Sequence, residues 1–94
     1  MAGDLVTRGN DRDDWDDFLV HGSDVLSQLP VLPTIGNHEC KGGLPGMYLQ
    51  TFDLPRGGPA GLEPERCYAV TYGNALFVVL DSMSPPEMQT AWLE

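Results

Sequence analysis

Pro30-Val31-Leu32-Pro33-Thr34-Ile35-Gly36-Asn37-His38-Glu39-Cys40 is an apolar run that ends at a glycine and passes into three polar side chains able to bind metals or carry protons. Val31, Leu32, Thr34 and Ile35 have the β-branched and apolar character of a covered strand, provided that Pro33 sits where no ladder hydrogen bond is needed. Gly36 then turns the chain where a Cβ would clash. In open α/β sheets ligands bind at the carboxyl ends of the strands, which is where Asn37, His38 and Glu39 would emerge. The plainer reading of the same residues is a turn at Asn37 and a partly exposed loop histidine at His38.

Upstream, Ala2-Gly3-Asp4-Leu5-Val6-Thr7-Arg8-Gly9 sets a carboxylate behind a glycine and ahead of an apolar pair, as though a strand had ended before residue 1. The segment between the two stretches is long enough for the crossover of a dozen or more residues that a parallel pair requires. Within Asn10–Gln28, Trp15, Phe18, Leu19, Val25, Leu26 and Leu29 recur at helical spacings, so an amphipathic crossover helix starting near Asn10 or Asp11 is expected to cover the sheet. Asp11, Asp13, Asp14, Asp16 and Asp17 crowd its first turns, where carboxylates favour the positive end of the helix dipole. They do not make a calcium loop. Counted from Asp11, the sixth and twelfth places of an EF-hand, glycine and glutamate, are held by Asp16 and Gly22. His21 falls off the apolar stripe and reads as a solvated surface residue.

Lys41–Glu65 is rich in glycine and proline. It reads as a long loop, with only Met47–Phe52 apolar enough for a helical turn or two. Residues 67–72 and 75–81 are β-rich runs separated by Gly73-Asn74, the signal of a tight hairpin. The second run is apolar throughout, so both of its faces are expected to be covered. Pro85 and Pro86 introduce Glu87–Glu94, in which Met88, Ala91, Trp92 and Leu93 suggest the start of another amphipathic helix.

At 94 residues, 41% hydrophobic and 20% charged, the chain has the composition of one small globular domain. Its net charge of −9 argues against binding nucleic acid or an anionic membrane surface and is compatible with cations. No apolar run has the length of a membrane span. Cys40 and Cys67 belong to no CxxC pair and read as free thiols or as one bridge, in preference to metal ligands.

Gly3-Asp4, then Gly36-Asn37-His38-Glu39, then Tyr72-Gly73-Asn74 leading to Asp81-Ser82, then Gln89 to Glu94 make a series whose order and spacing cover nearly the whole chain. In this the chain resembles the calcineurin-like metallophosphoesterases, the superfamily that includes purple acid phosphatases and protein serine/threonine phosphatases. The resemblance implies part of a sheet-centred α/β sandwich, a βαβ unit followed by the hairpin and the start of a helix. It implies hydrolysis of phosphate mono- or diesters by metal-activated water at a pair of divalent, or iron and divalent, cations (manganese, zinc, iron or magnesium), with no serine or cysteine nucleophile. Asp4 would bridge the two metals, Asn37 would bind one through its amide oxygen, and His38 would stabilise or protonate the departing oxygen. Arg8 lies where protein phosphatases place an arginine that contacts substrate phosphate, a role its fork suits. Its plainer reading is a solvated loop residue. Thr7 is neither the tyrosine that purple acid phosphatases use to bind ferric iron nor the aspartate that protein phosphatases use to support the histidine. Glu39 is expected to support the loop, and the counterpart of Lys41–Glu65 tends to shape substrate access. The family's DxH and GHxH blocks have no match here, so the chain is expected to be an internal piece of a larger catalytic domain, inactive alone. The alternative is a non-catalytic α/β scaffold or interaction module.

Overall fold

The computed structural model describes residues 1–94, in the order α1 (Arg12–Leu26), α2 (Gly46–Thr51), β1 (Tyr68–Tyr72), β2 (Ala75–Val79) and α3 (Pro86–Leu93). Asp11 starts α1 as its N-cap, its carboxylate accepting the Asp13 N–H, and Asp13 and Asp14 occupy the first turn. Arg12 and Asp16 pair one turn apart at 2.9 Å. Trp15 is the residue this helix buries; Leu19, Val25 and Leu29, which the periodicity assigns to a covered face, are exposed.

The expected βαβ unit does not form. Its two flanking segments nevertheless run side by side. The Met1 nitrogen donates to the Leu32 carbonyl at 2.8 Å and the Thr34 N–H donates to the Met1 carbonyl at 2.9 Å, the alternation of a parallel pair centred on Pro33. Pro33 thus stands where its missing N–H is not called on. Its carbonyl takes the phenol groups of Tyr48 at 3.1 Å and Tyr68 at 2.6 Å. The pairing stops because Gly3 (φ +76) and Asp4 (φ +51) turn the chain through the left-handed region.

The hairpin forms as expected. β1 and β2 are antiparallel with Tyr72 opposite Ala75, so Gly73-Asn74 is a two-residue turn, and Gly73 takes the positive φ (+58) that the first turn position of a type II′ hairpin requires. They are the whole sheet, and no other pair of elements runs with its backbones close together. The apolar β2 is therefore bare rather than covered on both faces: only Val79 is buried, and Leu76 is 66% exposed.

The core lies instead beneath the two loops. Val6, Trp15, Ile35 and Tyr48 are buried together, with Leu5, Phe18, Met47 and Phe52 packed against them. Trp15 meets Phe18 and Phe52 edge to face at 5.9 and 6.2 Å, and Tyr48 lies 5.2 Å from Phe52, the spacings at which aromatic pairs attract. The Trp15 indole N–H donates to the Gly9 carbonyl at 3.0 Å, tying α1 to the first loop. The long loop is pinned as well. Glu65 accepts the Leu54 N–H and pairs with Arg56, and the Trp92 indole donates to Gly57. Extents of 38 × 34 × 17 Å describe a slab about two layers thick. No helix is long and apolar enough to cross a membrane.

Candidate functional site

Glu39 organises the loops that carry the candidate residues. It is fully buried, and its carboxylate accepts four backbone N–H groups: Asp4 (2.9 Å) and Gly36 (2.7 Å) on Oε2, Leu5 (2.6 Å) and Val6 (3.3 Å) on Oε1. One buried anion thereby replaces the ladder that the Asp4 and Gly36 segments fail to form. The two loops also meet at Gly9, whose N–H donates to the His38 carbonyl at 2.8 Å.

Approach this close needs glycine. A Cβ on Gly36 would collide with the Asp4 backbone and carboxylate, and one on Gly3 would lie 2.8 Å from the Gly36 nitrogen. Asp4 is the one candidate side chain in a left-handed conformation, a region where aspartate is tolerated better than most residues. That geometry brings Asp4 Oδ1 to 3.1 Å from the His38 N–H, which donates to it. Asp4 Oδ2, the Asn37 amide and His38 Nδ1 have no protein hydrogen-bond partner.

Two clefts share Asp4 in their walls. One, of about 370 Å³, is lined by Asp4, Gly36, Asn37, Leu80 and Ser82, so the end of β2 reaches the same place as the two loops. The other, of about 700 Å³, is lined by Asp4, Thr7, Asp14, Asp17, His21 and His38. The structure therefore brings Asp4 together with Asn37 in one cleft and with His38 in the other. Arg8 lines neither. Its guanidinium lies 2.8 Å from Asp11 and 3.4 Å from Asp14, and its backbone N–H donates to Asp14 at 2.8 Å. The hydrogen bond to Asp14 and the charge of Asp11 hold its proton above the ordinary arginine value. A further cleft between α1 and α2, lined by Arg12, Leu19, Met47 and Gln50, contains none of the candidate residues.

Two neighbours escaped the sequence reading. His21 is exposed, as expected, yet it shares the larger cleft with Asp4 and His38, and its Nδ1 bonds the Asp17 carbonyl at 2.8 Å. The helical pitch that set it off the apolar stripe is what turns it toward the cleft. Lys41 places Nζ 3.2 Å from His38 Nε2 and 3.2 Å from the Thr7 carbonyl. Its spacing of three residues after a histidine in a turn was the only available sign.

A buried polar cluster fixes the end of β2. Arg66 clasps Asp81 Oδ2 through Nε and Nη2, each at 2.7 Å, beside the Ser84 hydroxyl at 2.7 Å, while Asp81 Oδ1 accepts the Met83 N–H at 2.8 Å. Gln89 is the buried residue of α3; its amide bridges the Asp81 N–H and carbonyl and accepts from the Cys67 thiol at 3.4 Å. The apolar face expected on this helix is not what it buries, because Gln89 satisfies the backbone of the preceding turn. Cys40 and Cys67 are free, and burial pushes both thiols up.

No group of three or more His, Cys, Asp or Glu side chains converges to hold a metal ion. No protein-family model matches the chain, and no curated protein or solved structure matches it either.

Proposed function

We propose that this chain carries one wall of a two-metal phosphoesterase centre acting on phosphate mono- or diesters, the remaining metal ligands lying outside these 94 residues. What supports this is the meeting of Asp4 with the Asn37-His38 loop: a carboxylate locked by φ +51 and the His38 N–H, with a free second oxygen in a cleft it shares with an unpaired amide. These are hard oxygen donors of the kind that divalent cations take. Asp4 and Asn37 would hold the metals. Bound there, a pair of cations would activate water and neutralise charge on the phosphoryl oxygens.

The chain's own contributions follow from its geometry. Glu39 sets the backbone of the Asp4 loop, the His38 N–H holds Asp4 Oδ1 and leaves Oδ2 without a protein partner, and the His38 ring would donate to the departing oxygen. A substrate contact from Arg8 would have to displace Asp11 and Asp14 from its fork.

The lack of a third converging ligand favours a second reading, a non-catalytic α/β module that keeps the loops without the chemistry. Paramagnetic manganese separates the two. Under the phosphoesterase reading, manganese broadens the NMR signals of Asp4, Asn37 and His38 first, weakly and reversibly, and Asp4→Asn abolishes this. Asparagine tolerates the left-handed conformation and keeps the acceptor for the His38 N–H, so stability changes by less than about 0.5 kcal/mol. Hydrolysis of nitrophenyl phosphate by these residues alone is negligible, because too few ligands converge. Broadening confined to the Asp11–Asp17 run, or unchanged in the variant, would overturn the assignment.

A further inference from the structure

Lys41 is anchored at two points that belong to different parts of the chain. Its Nζ donates to the Thr7 carbonyl in the first loop and lies at the same 3.2 Å from His38 Nε2. An ammonium group has three donors and no acceptor, so the bond to His38 has only one possible sense: Nε2 accepts. A neutral imidazole that accepts at Nε2 carries its proton at Nδ1, since the hydrogen bond made by one ring nitrogen selects the state of the other. His38 Nδ1 has no protein partner, whereas its backbone N–H and carbonyl are engaged by Asp4 and by Gly9 and Lys41. The ring is thereby left with one free donor.

We propose that Lys41 is a positioning residue that fixes His38 as the neutral Nδ1–H tautomer, so that a phosphoryl or departing oxygen meets Nδ1–H rather than Nε2–H. The tautomer follows from the contacts alone; its catalytic meaning rests on the phosphoesterase reading above. Thr7, which matches neither side chain found there in the two phosphatase groups, takes part through its backbone carbonyl. Arg8 is held by Asp11 and Asp14, and Lys41 keeps its third N–H without a protein partner.

Imidazole nitrogen chemical shifts, recorded by NMR on the 94-residue chain at mildly alkaline pH without metal, test this directly. A His21→Gln variant assigns the His38 signals. In the unsubstituted chain His38 is expected to show a protonated Nδ1 and a bare Nε2. Lys41→Met should move the major form to Nε2–H, the form favoured by a free imidazole in water, and Lys41→Arg, which keeps a cationic donor, should restore Nδ1–H. An Nε2–H majority in the unsubstituted chain, or a tautomer indifferent to Lys41→Met in a variant that keeps the Leu5 and Gly36 amide shifts, would overturn the proposal. Should Lys41→Met fail to fold, the unsubstituted and arginine spectra decide it. Manganese broadening at Asp4 is a separate readout: its failure would remove the catalytic meaning and leave the tautomer to the nitrogen shifts, and a wrong tautomer would leave the metal reading standing.

Discussion

Glu39 shows how a single side chain can take the place of a strand. Its four N–H donors come from residues 4–6 and 36, and nothing else in the chain satisfies them. Exchanging the carboxylate for an amide by Glu39→Gln turns one acceptor oxygen into a donor facing backbone N–H groups. Two charge-assisted bonds become two buried donors without partners. Each such loss costs on the order of 1–3 kcal/mol, so the variant should be less stable by about 3 kcal/mol in urea unfolding, a large share of the 5–15 kcal/mol typical of small domains. A change below about 1 kcal/mol would mean that the loops are held by the aromatic core instead. The sequence pointed to Glu39 as a loop support, but not to the number of groups it holds, because that number depends on residues over thirty positions away. The order of short motifs put Asp4 and His38 forward as candidates and the structure sets them side by side; Lys41 had no such sign, because a lysine after a turn has no distinguishing pattern of its own.

Among the elements, the helices and hairpin were legible because their signals are local. Asp11 caps α1 where the acidic run begins, and Gly73-Asn74 makes the turn that its residues favour. The covered strand at Val31–Ile35 was misread because an apolar run is also what a buried extended segment needs, and pairing is decided by the neighbour. That neighbour leaves after one residue, at Gly3 and Asp4. What holds the extended segment is the Pro33 carbonyl, shared by the phenols of Tyr48 and Tyr68. Tyr68→Phe alone should cost about 1 kcal/mol, since Tyr48 still bonds the carbonyl. Adding Tyr48→Phe should cost more than the sum of the single changes, because the buried acceptor is then orphaned; strict additivity in denaturant unfolding would show the shared carbonyl to be unimportant. The same burial makes folding sensitive to alkali. It pushes the Tyr68 phenol from an ordinary value of about 10 up to about 12, and raises that of Tyr48 too. The folded chain therefore holds protons that the unfolded chain releases, so this stability is present below about pH 10 and is lost as pH rises toward about 12. Phenolate absorbance from these two residues should appear together with the loss of circular dichroism. Its appearance in a folded chain would contradict their burial.

Across the molecule, order is distributed in an unusual way. Only 16 of the 94 residues are buried; of the apolar ones Val6, Trp15, Ile35 and Tyr48 cluster near the Asp4 and Asn37 loops, and the sheet itself buries only Tyr68 and Val79, at one end. An isolated two-stranded hairpin is at best marginally stable in water, and β2 exposes Leu76 and Phe77 at the end nearest the turn. The other end is gripped by Tyr68, Val79 and the Arg66–Asp81 clasp. Charge and composition carry no sign of this division, since the same apolar residues would serve a covered strand. Hydrogen exchange measures it directly, because local opening free energies range from nearly zero at fraying tips up to the global value in the core. The amides of Leu5 and Gly36, bonded to Glu39 at 2.6 and 2.7 Å, should exchange only through global unfolding and share one denaturant dependence. Those of residues 73–77 should exchange orders of magnitude faster and independently of denaturant, as expected for a frayed tip. The order inverts the usual one, in which strands outlast loops, and it is the order a binding site needs if its loops are to be rigid before a cation or a phosphate arrives. If the hairpin tip proves slower than the Glu39-bound amides, the loops are not the folding core, and the position of Asp4 beside His38 would be one conformation among several.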